Sequence, residues 1–414
     1  MHARPKVVII GAGFGGLNAA QHLKKADVDV LVIDKRNYHL FQPLLYQVAT
    51  AMISPGNIAS PIRHILSEQK NTTVIMADIV SIDKEKRLVH SSEGATYPFD
   101  YLIVATGSSH AYFGHPEWEK FAPALKTIED AERIRSNILR SYEYAEKCQT
   151  CEEAKKYMCF VVVGGGPTGV EMAGAIGELA HRSLKHDFKF IDPVDTQIFL
   201  IEGVDQILPI FPRDLAEKAQ SDLEKIGVKV RLKTLVTNVT EEGVFLGDEF
   251  IASKNVIWAA GNAASSLLKT LDVPLDKAGR VLVNPDLSIP GHPSIFVIGD
   301  AAYLLVEGNP LPGIAPTAIQ QGRYVAKLIS QPNKPRKPFK YFNKGMMATV
   351  GKAKAIAVVG KVKMSGFIAW LTWCFIHIFY LISFANRALV LLQWIFQFFS
   401  NKRRVRIINS PHNE

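Results

Sequence analysis

Acid is what the last quarter of this chain lacks. Between residues 308 and 413 there is no Asp or Glu, against 16 Lys and Arg, while the rest holds 32 basic and 39 acidic residues. The formal net charge of +9 therefore averages an acidic body with a basic end. A basic block suits nucleic acid or an anionic membrane. Inside it, residues 364–386 carry no formal charge, and a second apolar stretch, 388–399, follows. Lipid is thus the expected partner, and nucleic acid is not. Cysteine is also scarce. Four in 414 residues exclude a disulfide-built scaffold and fit a reducing compartment. His39, His64 and His377 do not stand at metal-ligand spacing, so no metal site is expected. Residues 1–6 lead directly into a β-branched run, and no signal or transit peptide is expected there.

What is present is one device used twice. Residues 7–10, Val-Val-Ile-Ile, meet Gly11-Ala12-Gly13-Phe14-Gly15-Gly16; residues 160–163, Phe-Val-Val-Val, meet Gly164-Gly165-Gly166-Pro167-Thr168-Gly169. Each is a buried strand, a G-x-G-x-x-G turn and an Ala-rich helix. Gly11 and Gly164 permit the tight turn, and Gly13 and Gly166 let backbone approach a pyrophosphate. Gly16 and Gly169 let the helix pack close, with its N-terminal amides aimed at the phosphates. The strand after the first motif ends in Asp34, 23 residues beyond Gly11, where a ribose is gripped. The corresponding acid after the second is Glu202, 38 residues beyond Gly164, the excess being a polar insert at 181–196.

Residues 39–50 are a buried loop or short helix, 72–107 a small β meander, and 127–157 a charged helix with acids in its first turns. Residues 293–300 are a buried strand ending in Gly299-Asp300, 313–329 a loop then a helix, and 331–340 a Pro/Lys-rich connector. The expected fold is α/β, with two Rossmann-like dinucleotide-binding domains and a C-terminal helical segment. The boundaries expected are 1–115 with 285–330, then 116–284, then 331–414.

Six segments carry a resemblance: GAGFGG at 11–16, FQPLLYQVAT at 41–50, ATG at 105–107, VVVGGGPTGVEMAGAIGEL at 161–179, IGDAA at 298–302, and the tail at 370–394. The chain resembles the two-dinucleotide-binding-domain flavoproteins, specifically the type II NADH dehydrogenases, monotopic NADH:quinone oxidoreductases. The resemblance implies FAD held by Gly11, Gly13, Gly16, Asp34, Thr50, Thr106 and Asp300, with Asp300 at the ribityl chain. It implies NADH at Gly164, Gly166, Gly169 and Glu202. Glu171 is implied as an electrostatic or proton-handling group near nicotinamide and flavin. Gln320 matches the second Gln of the family's A-Q-x-A-x-Q quinone segment, whose first is Pro316 here. A membrane quinone as co-substrate, a place on the cytoplasmic face of the inner membrane and a homodimer are implied too.

Three other readings compete. Cys148-Gln149-Thr150-Cys151 ends 13 residues before Gly164, as in small disulfide reductases. A sulfide:quinone oxidoreductase shares the fold but needs flavin-flanking cysteines and no nicotinamide site. A non-catalytic flavin-binding membrane sensor is the third. In the tail, Asn386, Gln393, Gln397 and Ser400 form one polar face of a helix lying in the membrane plane. Trp370, Trp373 and Trp394 suit an interface. Lys402, Arg403, Arg404 and Arg406 each add up to about 1 kcal/mol on an anionic leaflet.

Overall fold

The computed structural model describes residues 4–408, so the leader-free reading of residues 1–6 falls partly outside the described residues. The chain divides into two compact units. One comprises residues 1–40, 59–109 and 262–343, the other residues 41–58, 110–261 and 344–414.

The first unit is built on a six-stranded sheet ordered Ser288–Ile289, His292–Val297, Tyr101–Val104, Lys6–Ile10, Asp29–Asp34 and Thr72–Met76, all parallel except the first. Val7, Val8, Ile9 and Ile10 are buried, as a strand covered on both faces requires. The region 72–107 is not one meander. Thr72–Met76 and Tyr101–Val104 join the parallel sheet, and only Ile79–Asp83, Leu88–Ser91 and Thr96–Pro98 form the small antiparallel sheet. The helices Phe14–His22 and Ala315–Ser330 pack backbone to backbone, so that a Cβ on Gly322 would fall 2.2 Å from the Gly15 carbonyl oxygen.

The second unit centres on a parallel sheet ordered Val228–Arg231, Gln197–Ile201, Cys159–Val163 and Asn255–Trp258. The expected helix at 127–157 is two helices, Ile128–Lys147 and Cys151–Tyr157. Cys148 is extended, and the Thr150 hydroxyl caps the second helix by accepting from the Glu153 amide. Segment 41–58 belongs here rather than to the first nucleotide domain. So does a three-stranded antiparallel sheet, Met346–Gly351, Lys354–Val359 and Val362–Ser365, which the sequence reading left without structure.

The tail is two helices, Gly366–Tyr380 and Phe384–Ser400, and among the described residues no helix is long and apolar enough to cross a membrane. Its polar stripe is turned inward. Gln397 donates to the Met52 carbonyl, and neighbouring Trp394 donates to Gln47 Oε1 at 2.8 Å. Trp373 and Trp394 are buried rather than interfacial. The outer face is apolar, with Phe375, Phe379, Phe384, Leu392 and Phe399 between 63% and 84% exposed.

Candidate functional site

The two glycine turns sit at the carboxyl ends of central strands, Lys6–Ile10 and Cys159–Val163, and they match atom for atom. Gly11 has φ +94° and Gly164 φ +109°, a region that favours glycine. A Cβ on Gly16 would lie 1.8 Å from the Gly11 carbonyl oxygen, and one on Gly169 the same 1.8 Å from that of Gly164. A Cβ on Gly13 or Gly166 would meet nothing within 4 Å, so a ligand has free approach there. Each turn is braced by the acid ending the next strand. The Ala12 amide donates to Asp34 Oδ2 at 2.6 Å, and the Gly165 amide donates to Glu202 Oε2 at 2.6 Å. The long insert therefore leaves Glu202 equivalent to Asp34, which the spacing alone obscures.

In the first unit the remaining groups suit a flavin dinucleotide. Buried His39 donates from Nδ1 to the Ala12 carbonyl at 2.8 Å, so Ala12 is held at its amide by Asp34 and at its carbonyl by His39. Burial lowers its pKa, so the ring stays neutral. Asp300 follows Gly299, whose amide donates to buried Gln321 Oε1 at 2.6 Å. Its Oδ2 accepts from the Ser108 hydroxyl at 2.8 Å. The buried hydroxyls of Thr106 and Thr317 have no hydrogen-bond partner among the described residues, the condition of groups kept for a ligand. His39, Gln321 and Thr317 escaped the sequence reading, since nothing in their spacing marks them. Gln320 is committed elsewhere. Its Nε2 donates to the Phe342 carbonyl at 3.0 Å and its Oε1 accepts from the Phe342 amide at 2.9 Å. It ties the helix Ala315–Ser330 to the irregular segment before the strand Met346–Gly351, leaving one amide N–H of Gln320 without a partner among the described residues.

Thr50 lies in the second unit, where its hydroxyl donates to the Tyr46 carbonyl at 2.8 Å. Nearby is a narrow cleft of about 80 Å³, open to solvent on one side and walled by Trp370, Trp373, Trp394 and Phe398. Glu171 faces it from the helix Pro167–Glu178. A chain of polar groups runs behind the aromatic wall. Gln47 Nε2 donates to the Tyr46 hydroxyl at 3.1 Å, which lies 3.1 Å from Thr349 Oγ1. The Thr349 amide points at Glu171 Oε1 from 3.5 Å. Burial pushes the Glu171 carboxyl up to about 8, against a weak opposing pull from Thr349. Trp373 Nε1 is buried without a partner among the described residues, an unused donor in the cleft wall.

Arg403, read from sequence as a membrane charge, is buried behind this cleft. It donates to the carbonyls of Thr50 at 2.6 Å and Ala175 at 2.8 Å, with Glu178 3.9 Å away. Burial lowers its pKa to about 10, leaving it charged at neutral pH.

Comparison with known proteins settles the family. Residues 5–322 match the pyridine nucleotide-disulphide oxidoreductase family model. The type II NADH:quinone oxidoreductase Ndh of Mycobacterium tuberculosis is 46% identical over 97% of this chain and 89% of its own length. A second such enzyme of that organism, NdhA, is 44% identical over 98% of this chain and 90% of its own length. The chain belongs to the type II NADH:quinone oxidoreductases. Among solved structures, NDH2 of Plasmodium falciparum in complex with NADH superimposes with a TM-score of 0.88 at 21% identity, covering 97% of this chain and 99% of that one. The sulfide:quinone oxidoreductase of Aquifex aeolicus shares the fold more loosely, with a TM-score of 0.75 at 18% identity over 95% of each chain.

The matched family is described by disulphide chemistry, so the cysteines matter. Cys148 and Cys151 are free, at the break between two helices. Partial burial and the Glu153 carboxylate raise the Cys148 pKa, the opposite of an activated thiolate. Cys374, which lines the cleft, is pushed up to about 12 by burial. The double variant Cys148→Ser, Cys151→Ser is therefore expected to keep NADH:quinone activity within about twofold, as surface substitutions generally do. Loss of most activity with flavin still bound would restore the disulfide-reductase reading.

Proposed function

We propose that the protein passes reducing equivalents from NADH, through bound FAD, to a membrane quinone without pumping protons. The observation that carries this reading is the aromatic cleft with Glu171 in its wall, in a unit that also holds a complete nucleotide cradle. Bound FAD would supply a hydride acceptor able to release electrons singly or in pairs, chemistry that no side chain offers. Gly11, Gly13, Gly16, Thr106 and Asp300 would hold it, and Gly164, Gly166, Gly169 and Glu202 would hold NADH.

Quinone becomes quinol by gaining two electrons and two protons. NADH delivers two electrons and one proton as hydride, so one further proton must come from solvent. Glu171, with its pKa near 8, is protonated at neutral pH and is the assigned donor. The tryptophan walls would stack on the planar ring, and Trp373 Nε1 would donate to a quinone carbonyl. Gln320 would hold its helix through Phe342, with its second amide N–H left for a quinone carbonyl. The apolar outer face of the tail would rest on lipid, in a peripheral attachment at the cytoplasmic face of the inner membrane. The test is quinol formed per NADH consumed by the purified protein with a quinone analogue. One to one is expected, and NADH oxidation without quinol would overturn the assignment.

Glu202 should also select the nucleotide. One carboxylate oxygen takes the Gly165 amide and the other the Val204 amide at 3.0 Å, which fixes the charge at the cradle. Like charges about 4 Å apart repel by roughly 1 to 4 kcal/mol, so a 2′-phosphate is rejected at least several-fold. NADH should therefore show the higher kcat/KM, and Glu202→Gln should narrow the gap. Equal values for both nucleotides in the wild type would remove Glu202 from this role.

A further inference from the structure

The polar insert that lengthens the spacing before Glu202 has a partner in the basic tail. The Ser183 hydroxyl donates to the Asn401 carbonyl at 2.8 Å, and Arg406 donates to the Ser183 carbonyl at 3.2 Å while pairing with Asp187. Between insert and tail lies a broad, open cleft of about 1100 Å³, lined by His186, Phe188, Phe396, Lys402, Arg404 and Glu143 among others.

The charges here do not cancel. Arg403 is turned inward to two carbonyls and Arg406 is neutralised by Asp187. Lys402 and Arg404 are exposed and have no carboxylate partner among the described residues. The Arg404 guanidinium lies 4.3 Å from the centre of the Phe396 ring, which holds it at the lip. Glu143 is the one acid of the lining left to oppose them.

An apolar stripe runs into the same lip. Leu392, Phe396 and Phe399 are 63%, 39% and 80% exposed, at i, i+4 and i+7 on the helix Phe384–Ser400, and so share one face. A greasy stripe ending in a pair of free cations has the polarity of an amphiphile with a negative head. A free phosphate would satisfy the cations and leave the stripe in water.

We propose that this cleft is a headgroup site for an anionic phospholipid, its phosphate on Lys402 and Arg404 and its acyl chains along the stripe. The inference rests on the membrane-surface reading above and adds a defined seat to it. Of the four tail cations, only Lys402 and Arg404 would act on lipid, with the insert as second wall.

The test is co-sedimentation of the full-length holoenzyme with vesicles of phosphatidylcholine alone, or of phosphatidylcholine with phosphatidylglycerol. At about fivefold in partition per basic residue, Lys402→Gln with Arg404→Gln should weaken binding to the anionic vesicles by about 25-fold. Binding to the neutral vesicles and NADH oxidation with a water-soluble acceptor should not change. Lys185→Gln with Lys189→Gln removes the same charge from the insert outside the cleft and should cost much less. An equal loss in that control would mean diffuse attraction and overturn the seat. Release from anionic vesicles by inorganic phosphate at fixed ionic strength would reassign the cleft to free phosphate and overturn the lipid. Binding to neither kind of vesicle would sink the membrane reading itself; equal binding to both by the wild type would sink only the headgroup site.

Discussion

Glu171→Gln is expected to slow quinone reduction by about a hundredfold or more, the usual worth of a positioned general acid, while FAD stays bound and NADH still reduces it. Glutamine keeps the shape of the side chain and cannot release a proton. The carboxyl is raised to about 8 because the cleft removes it from bulk water, and the Thr349 amide compensates only weakly. The sign of the pH effect follows. Protonated Glu171 is the donor, so the wild-type acceptor half-reaction is fastest below its pKa and falls as pH rises through about 8. The glutamine variant should lose that limb. Stopped-flow oxidation of the pre-reduced enzyme by a quinone analogue, from pH 6 to 10, reads both effects. A wild-type rate in the variant, or the same alkaline limb, would remove Glu171 from proton transfer.

Gly16→Ala and Gly169→Ala should break the protein at two separable places. Each new Cβ would sit 1.8 Å from a main-chain carbonyl oxygen, of Gly11 or of Gly164, and backbone cannot swing aside as a side chain can. Overpacking commonly costs 1–3 kcal/mol, and a backbone clash belongs at about the upper end. That corresponds to a loss of roughly a hundredfold in nucleotide affinity as each cradle helix is levered off its turn. Gly16→Ala should purify largely without flavin. Gly169→Ala should purify yellow, with the flavin band no longer bleached at NADH concentrations that saturate the wild type. Full FAD content in the first variant, or normal NADH titration of the second, would contradict the assignment of the two cradles.

Those cradles were legible in the sequence because their chemistry is local. A β-branched run, three glycines and an Ala-rich helix must follow one another, and their order is visible along the chain. Asp34 and Glu202 were legible for the same reason, even across the insert. What stayed hidden depends on partners far away in sequence. The strands at 346–365 alternate only weakly and were missed, although glycines at 351 and 360 mark their turns. The stripe of Asn386, Gln393 and Gln397 is legible as one polar face of a helix, but what it faces is not. Only the presence of segment 41–58, which receives Gln397 at the Met52 carbonyl, turns it inward. Arg403 looked like its neighbours in a basic run, but the carbonyls of Thr50 and Ala175 make it a buried pin. Gln320 matched a family motif, yet its amide is committed to Phe342. Helix 127–157 was broken by Thr150, whose capping hydroxyl could have been weighed against the charged pattern around it.

On this reading one chain takes electrons from NADH and hands them to quinone through bound flavin. Rapid mixing with the flavin band as readout tests it directly. NADH added without oxygen should bleach the band, and a quinone analogue added next should restore it within the turnover time, with no added thiol, metal or partner protein. A band that NADH leaves untouched, or that quinone fails to restore, would rule out electron transfer from NADH to quinone through this flavin.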